Sequence, residues 1–181
     1  MEMQPWLPTP PQQAALEANG PDPHGLPGIA IILNAIPLFD IVQFINTPAV
    51  RALGQSSVGA VGNAHGLAKL YAAAISEVDG KAPLLGLETL AEFSRLHTRG
   101  LDLVSGLKDH FALGFEAKHG QYPFLGEDAF GHSGWAGSEA FADPKSGLTY
   151  GYTRRRFPAF FAAPENARLA AAARRAAEAL R

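Results

Sequence analysis

The stretch FGHSGWAGSEAFADP, residues 130 to 144, decides the fold class and the candidate site of this chain. Glycine recurs there at every third position around the pair His132 and Ser133. Glycine inside a strand costs conformational entropy and packs nothing, so several close together indicate that another group approaches the backbone. We therefore expect a strand that lines a binding site. The three glycines are Gly131, Gly134 and Gly137.

Alternating apolar patterns flank this stretch. Every second residue is apolar or aromatic across residues 111 to 115, and again across residues 148 to 152. Such alternation indicates strands with one face towards a core. The sequence Asp-Pro-Lys-Ser-Gly at residues 143 to 147 is typical of a hairpin turn. We expect an antiparallel meander of three strands near residues 110 to 116, 130 to 142 and 147 to 154.

Helical periodicity precedes and follows this meander. Apolar residues share a helical face across residues 38 to 45, and Asn63 is a candidate N-cap for a longer amphipathic helix. A third helix is predicted from about Glu88 to Leu96, and Pro164 is suited to start a last, covering helix. Helices, then a meander, then a covering helix define an α+β fold. The predicted apolar face of the last helix consists of Leu169, Ala172, Ala173, Ala176, Ala177 and Leu180.

Residues 1 to 30 differ in composition from the rest of the chain. Seven prolines occur there, and proline sustains neither the interior of a helix nor a central strand. The composition favours an extended segment that follows the surface, and a disordered tail fits it equally well. We treat residues 1 to 30 as a Pro-rich extended segment and residues 31 to 181 as the folded part.

The triplet His132-Ser133-Gly134 resembles a motif of the serine β-lactamase superfamily. In that superfamily a Lys-Thr-Gly, His-Thr-Gly or His-Ser-Gly triplet lies on the strand that lines the active site, and the chain is most similar to the branch of β-lactamase-related, class C-like esterases. The order and spacing of further stretches make residues from about 40 to 181 similar to the C-terminal part of such an enzyme. The resemblance thus implies that residues 31 to 181 are the C-terminal part of a β-lactamase-related domain. The matching stretches are residues 61 to 75, 84 to 95, 111 to 116 and 147 to 157.

The resemblance implies a β-lactamase/transpeptidase-like fold and an acyl-serine mechanism. It implies that the meander is one side of a five-strand antiparallel sheet whose other strands come from the opposite end of the chain. It assigns an oxyanion donor to the backbone N–H of Trp135, substrate approach to the strand edge at Gly134, and orientation of substrate to His132. Histidine in place of lysine weakens the fixed positive charge, which favours ester substrates over β-lactams.

The nucleophile motifs of this superfamily are missing where the resemblance requires them. They are Ser-x-x-Lys and a following Tyr-x-Asn or Ser-x-Asn, and the second occurs nowhere in the chain. One Ser-x-x-Lys occurs at residues 105 to 108, after the predicted third helix, and we interpret it as part of a loop. The chain is thus predicted to be a fragment of a serine hydrolase, inactive alone. The alternative is a non-catalytic binding module, or a partner-assembled one, derived from the same fold.

Composition and charge limit the classes of partner that the chain is expected to bind. A net charge of −2 gives no electrostatic reason to expect nucleic acid or a membrane surface, and the longest apolar stretch is too short to span a bilayer. We expect no metal and no cofactor. A small ester or amide is the expected substrate once an N-terminal half completes the site, and apolar faces left uncovered would favour self-association. Without a signal-peptide pattern, a cytoplasmic location is favoured.

Overall fold

The computed structural model describes residues 2–56, 60–108, 110–158 and 163–180. Helices dominate the first half of these residues, and the sheet with its covering helix forms the second. The helices are α1 Pro10–Asn19, α2 Leu26–Ala30, α3 Ile41–Asn46, α4 Pro48–Leu53, α5 Ala64–Ile75, α6 Leu87–Ser94, α7 Lys118–Gln121 and α8 Glu165–Ala179. The strands are β1 Glu116–Ala117, β2 Phe130–Ser133, β3 Glu139–Asp143 and β4 Leu148–Tyr152. This is the predicted α+β order.

The sheet is fully antiparallel with the strand order β1-β2-β3-β4. The prediction of a single strand across residues 130 to 142 is wrong, because the chain reverses between β2 and β3. The N–H of Gly137 donates to the Gly134 carbonyl at 2.7 Å, and Gly137 has a φ of 86° that suits glycine. As a result, Ser133 lies directly opposite Glu139 in the register.

The predicted strand at residues 110 to 116 is also wrong in extent. Gly114 has a φ of 72°, and the chain turns there so that Phe111 forms a bridge with Glu116. An extended chain cannot pass through this left-handed conformation, so only Glu116 and Ala117 reach β2. The hairpin of β3 and β4 is confirmed, with Asp143 opposite Leu148.

Helices cover both faces of the sheet. On one face α5 packs Tyr71 against Phe130, with ring centroids 5.9 Å apart. On the other face α8 places Ala170, which is fully buried, against Phe141. Every residue of β3 is buried, since that strand has a helix on each side. Burial of Tyr71, together with nearby carboxylates, raises the pKa of its hydroxyl well above the ordinary value, which suits a core residue.

The covering helix packs through a different face from the one predicted. Asn166 and Ala170 are buried, whereas Leu169 is 42% exposed and Leu180 is 89% exposed. Alanine fills most positions of α8, so its periodicity alone does not decide which stripe meets the sheet. Contact with Phe141 decides it.

The first 30 residues contain two short helices, so the prediction that they are extended is wrong. Pro10 and Pro11 occupy the first positions of α1, where a missing N–H costs nothing. Gln12 closes that end by accepting the backbone N–H of Thr9 at 2.9 Å. In the described part of the chain no helix is both long and apolar enough to span a bilayer.

The chain divides into two compact units. Within the first unit, the backbone carbonyl of Gln4 accepts a hydrogen bond from the backbone N–H of Phe157 at 3.0 Å. The second holds the sheet, α5 to α8 and the triplet. A boundary at residue 30 stays a prediction. The first unit comprises Met1–Val61, Gly100–Lys108 and Arg155–Ala159, and the second comprises Gly62–Arg99, Asp109–Arg154 and Phe160–Arg181.

Gly151 tests the packing of α5 on β4. A Cβ at this position would lie 2.3 Å from the carbonyl oxygen of Ala64 and 3.0 Å from the backbone nitrogen of Ala68. Gly151→Ala should therefore push the helix off the sheet and lower the free energy of unfolding by about 1–3 kcal/mol. Gly62→Ala is the control, because nothing lies within 4 Å of its Cβ position. Equal urea midpoints for the two variants would contradict this packing.

Candidate functional site

The triplet lies at the end of β2, and its side chains divide between the two faces of the sheet. His132 shares a face with Phe130, is 51% exposed, and has its ring 5.9 Å from that of Phe111. Ser133 points to the α8 side, because successive side chains alternate along a strand. Gly134 then opens the turn to β3. The sequence motif identified these residues, but it did not show that the side chains of His132 and Ser133 lie on opposite faces of the sheet.

A buried lysine lies beneath the end of β2. Lys118, at the start of α7, has no exposed side-chain surface, and its Nζ is 2.5 Å from Oε1 of Glu139. It also forms an ion pair with Glu116. The same Nζ donates to Ser133 Oγ at 2.7 Å and to Gln121 Oε1 at 2.9 Å. We call these five residues the Lys118 cluster.

Ser133 connects the Lys118 cluster to the candidate substrate strand. Its hydroxyl lies 2.9 Å from Oε2 of Glu116 and 3.1 Å from Oε2 of Glu139. Its backbone N–H donates to Oε2 of Glu116 at 3.2 Å. These contacts fix the last residue of β2 on two neighbouring strands, so the position of the following turn is set by buried ionic groups.

Two further side chains attach the turn to the body of the second unit. The Tyr122 hydroxyl donates to Glu139 Oε2 at 3.1 Å. Burial, and to a smaller extent the Glu139 carboxylate, raises the pKa of Tyr122 well above its ordinary value. Asn166 of α8 donates from Nδ2 to the carbonyl of Gly137 at 3.2 Å. Both ends of the turn are thus held by side chains that are themselves buried.

The three glycines of the motif differ in whether the local structure requires a glycine. A Cβ on Gly131 would lie 2.2 Å from the Ala140 carbonyl oxygen, so packing requires glycine there. Gly137 has the positive φ that its turn needs. At Gly134, the nearest atom to a Cβ would be the carbonyl oxygen of Ser138 at 3.4 Å, which is ordinary contact. Neither local packing nor a positive φ requires glycine at position 134.

Trp135 follows Gly134 in the turn and is 42% exposed. Its assignment as an oxyanion donor stays a prediction. The Ser-x-x-Lys sequence at residues 105 to 108 lies in a turn, where Ser105 donates its backbone N–H to Asp102 Oδ1 at 2.6 Å. Hydrogen bonds from Ser105 hold the pKa of Asp102 below its usual value. The interpretation of Ser105 as a loop residue is confirmed.

An open groove of about 420 Å³ lies beside β1 and α7, with His110 and His119 in its lining. His119 Nδ1 lies 2.8 Å from the carbonyl oxygen of Leu125, which can only accept, so the ring donates there. Among the residues that the structure describes, no group of three or more His, Cys, Asp or Glu side chains is arranged to hold a metal ion.

Sequence reasoning missed most of the Lys118 cluster. One signal for Glu139 was available: a hairpin turn centred on Gly134 and Gly137 would have placed it opposite Ser133. Lys118 carries no such signal. It follows a two-residue strand and begins a four-residue helix, and local sequence does not indicate that a lysine is buried there.

Comparisons with known proteins agree with the fold. The family model described as Beta-lactamase matches residues 3–175. EstA from Arthrobacter nitroguajacolicus Rue61a is 30% identical with a TM-score of 0.80, over 99% of this chain and 46% of EstA. A family VIII carboxylesterase is 31% identical with a TM-score of 0.64, over 82% of this chain and 40% of that protein.

The chain therefore spans less than half the length of either of these solved structures. No curated protein sequence is significantly similar to it. The match to the family model extends over nearly the whole chain and agrees with the α+β fold, its antiparallel sheet and its covering helix. The chain belongs to the beta-lactamase family and has the fold of its serine hydrolases.

Proposed function

We propose that this chain forms the substrate-lining part of an acyl-serine esterase and becomes active when another polypeptide segment supplies the nucleophile. The observation that carries the proposal is Gly134. It is a glycine that its own packing does not require, placed directly after a strand end that buried groups hold in position. An open backbone beside a rigid strand end suits the close approach of an ester substrate.

The chemistry assigned to the site is acyl transfer. A serine oxygen attacks the ester carbonyl, the alcohol leaves, and water hydrolyses the acyl-serine. The backbone N–H of Trp135 would donate to the oxyanion, with the N–H of the nucleophilic serine as the second donor. His132, half-exposed at the same strand end, would orient the substrate.

Neither the sequence pair of Ser105 and Lys108 nor the spatial pair of Ser133 and Lys118 suits a nucleophile and its base. Ser105 and Lys108 are exposed in a turn. Ser133 and Lys118 are close, but Lys118 forms ion pairs with two carboxylates, and its ammonium accepts no proton. This supports a nucleophile from outside these residues, as does the share of 46% that the chain covers of EstA.

A second candidate function is a non-catalytic, partner-assembled module. It is favoured by exposed leucines on α8 and directly after it: Leu169 is 42% exposed and Leu180 is 89% exposed. Such a surface suits association with a partner or with a second copy of the chain. This candidate predicts assembly without turnover. A cytoplasmic location stays a prediction.

Activity should depend on complementation. The purified chain alone should leave p-nitrophenyl acetate and nitrocefin unhydrolysed above background, because it offers an oxyanion donor without a nucleophile. Mixing or fusing it with the segment of EstA outside the aligned region should restore hydrolysis of p-nitrophenyl acetate, since that segment would complete the sheet and the site. Initial rates, with each segment alone as blank, provide the measurement.

Two results would contradict this proposal. Turnover by the chain alone that disappears in Ser105→Ala would identify Ser105 as a nucleophile. A stable complex of the two segments, shown by co-elution in size-exclusion chromatography, that hydrolyses no ester would favour the non-catalytic module instead.

A further inference from the structure

We propose that Glu116 determines specificity at this site, so that it accepts neutral esters and rejects substrates that carry a carboxylate. The inference rests on the proposed function and adds a substrate class and the residue that sets it. Glu116 belongs to β1, beside the strand that carries His132 and Ser133. From this position the Glu116 carboxylate acts electrostatically on any ligand that lies along the end of β2.

Glu116 directs its two oxygens to different neighbours. Oε2 accepts the hydroxyl and the backbone N–H of Ser133. Oε1 lies 3.7 Å from Nδ1 of His132. The Glu116 side chain is 18% exposed, whereas that of His132 is 51% exposed. One carboxylate oxygen is thus presented beside the imidazole that a substrate would meet first.

The imidazole does not offer a substrate carboxylate a donor in its neutral form. His132 Nδ1 lies 2.8 Å from the carbonyl oxygen of Ser133, and because a carbonyl only accepts, Nδ1 carries the hydrogen. In the neutral ring Nε2 is then an acceptor. An anionic group at that nitrogen would meet a lone pair, with the Glu116 carboxylate close behind it.

The buried lysine does not compensate for this negative charge. Lys118 Nζ has four oxygen partners inside its cluster, more than its three hydrogens, so none remains for a ligand. One ammonium faces the carboxylates of Glu116 and Glu139, of which Glu139 has no exposed side-chain surface. Counted as ionised groups, the Lys118 cluster has a net charge of −1, and a second anion beside it is repelled.

An apolar surface lies next to His132 on the same side. The Phe111 ring is 5.9 Å from the imidazole, and this residue is 40% exposed. An exposed aromatic face at the end of β2 suits an apolar acyl chain. The substrate class is therefore a neutral ester with an apolar acyl group.

The test compares two esters of the same length that differ in charge. The chain complemented by the EstA segment is assayed with p-nitrophenyl butyrate and mono-p-nitrophenyl succinate. Glu116→Gln should raise the succinate-to-butyrate ratio of kcat/KM about tenfold, and added salt should raise that ratio in the unmodified chain. Glu92→Gln is the matched control, since its half-exposed carboxylate pairs with Arg95 outside the cluster, and the ratio should stay unchanged.

The outcomes separate the two proposals. No turnover of the butyrate ester overturns the proposed function. Turnover with a ratio that Glu116→Gln leaves unchanged overturns the specificity role alone, because a purely structural glutamate would lower both rates together. A melting curve of the Glu116→Gln variant establishes that it is folded.

Binding to the uncomplemented chain provides a second measurement. The sequence has two tryptophans, so Trp6→Phe leaves Trp135 as the fluorescent reporter at the end of β2. Methyl butyrate should change its emission and monomethyl succinate should not, and Glu116→Gln should admit both. Equal responses to the two esters, or a response to neither, would overturn the inference.

Discussion

Gly134→Val in the complemented chain is expected to lower kcat/KM for p-nitrophenyl butyrate by about a hundredfold, the effect of losing one preorganised oxyanion donor. A valine side chain would stand where the substrate must lie against the backbone before Trp135. The fold should tolerate the change, because the nearest atom to a Cβ at this position is 3.4 Å away. Steady-state kinetics and a thermal melt of the same sample measure the two effects.

Neighbouring positions provide the controls for this variant. Gly131→Ala should lower the melting temperature, because its Cβ would lie 2.2 Å from the Ala140 carbonyl oxygen. Gly134→Ala should melt like the unmodified chain. His132→Ala should cost less activity than Gly134→Val if the imidazole only orients the substrate. Association of the two segments with unchanged turnover in Gly134→Val would show that this strand does not line the active site.

Lys118→Met should lower the free energy of unfolding by about 3–5 kcal/mol, the usual result of removing one partner from a buried ionic group. Methionine fills a similar volume, but it leaves the carboxylates of Glu116 and Glu139 without their cation. Ser133 also loses its donor at 2.7 Å. Denaturant unfolding followed by far-ultraviolet circular dichroism measures the loss.

Lys69→Met is the matched control for this variant. Lys69 Nζ also lies 2.5 Å from a carboxylate, that of Asp79, but the two side chains are 48% and 68% exposed. Exposed pairs of this kind contribute less than about 1 kcal/mol. Adding Glu139→Gln to Lys118→Met should recover part of the loss, since it removes one of the two unpaired charges. Similar losses in both lysine variants would contradict the burial of Lys118.

Local sequence was sufficient where each element depends on its own residues. Asn63 caps α5 by accepting the N–H of Gly66 at 2.8 Å, as its residue type predicted. The hairpin of β3 and β4 forms around the predicted turn, where Gly147 has a φ of 64°. The His-Ser-Gly triplet identified the strand end that carries the candidate site. In these places short-range sterics and capping outweigh the rest of the fold.

Tertiary contacts decided what local patterns left open. The turn after Gly134 depends on the pairing of Ser133 with Glu139, its partner on the neighbouring strand β3. The buried side of α8 depends on Phe141, since a helix of alanines presents similar faces all round. The sequence alone determined the α+β order, the hairpin of β3 and β4 and the motif. Only the packed structure determined that Lys118 is buried beneath the motif, because the carboxylates that surround it come from separate strands that meet only when the sheet forms.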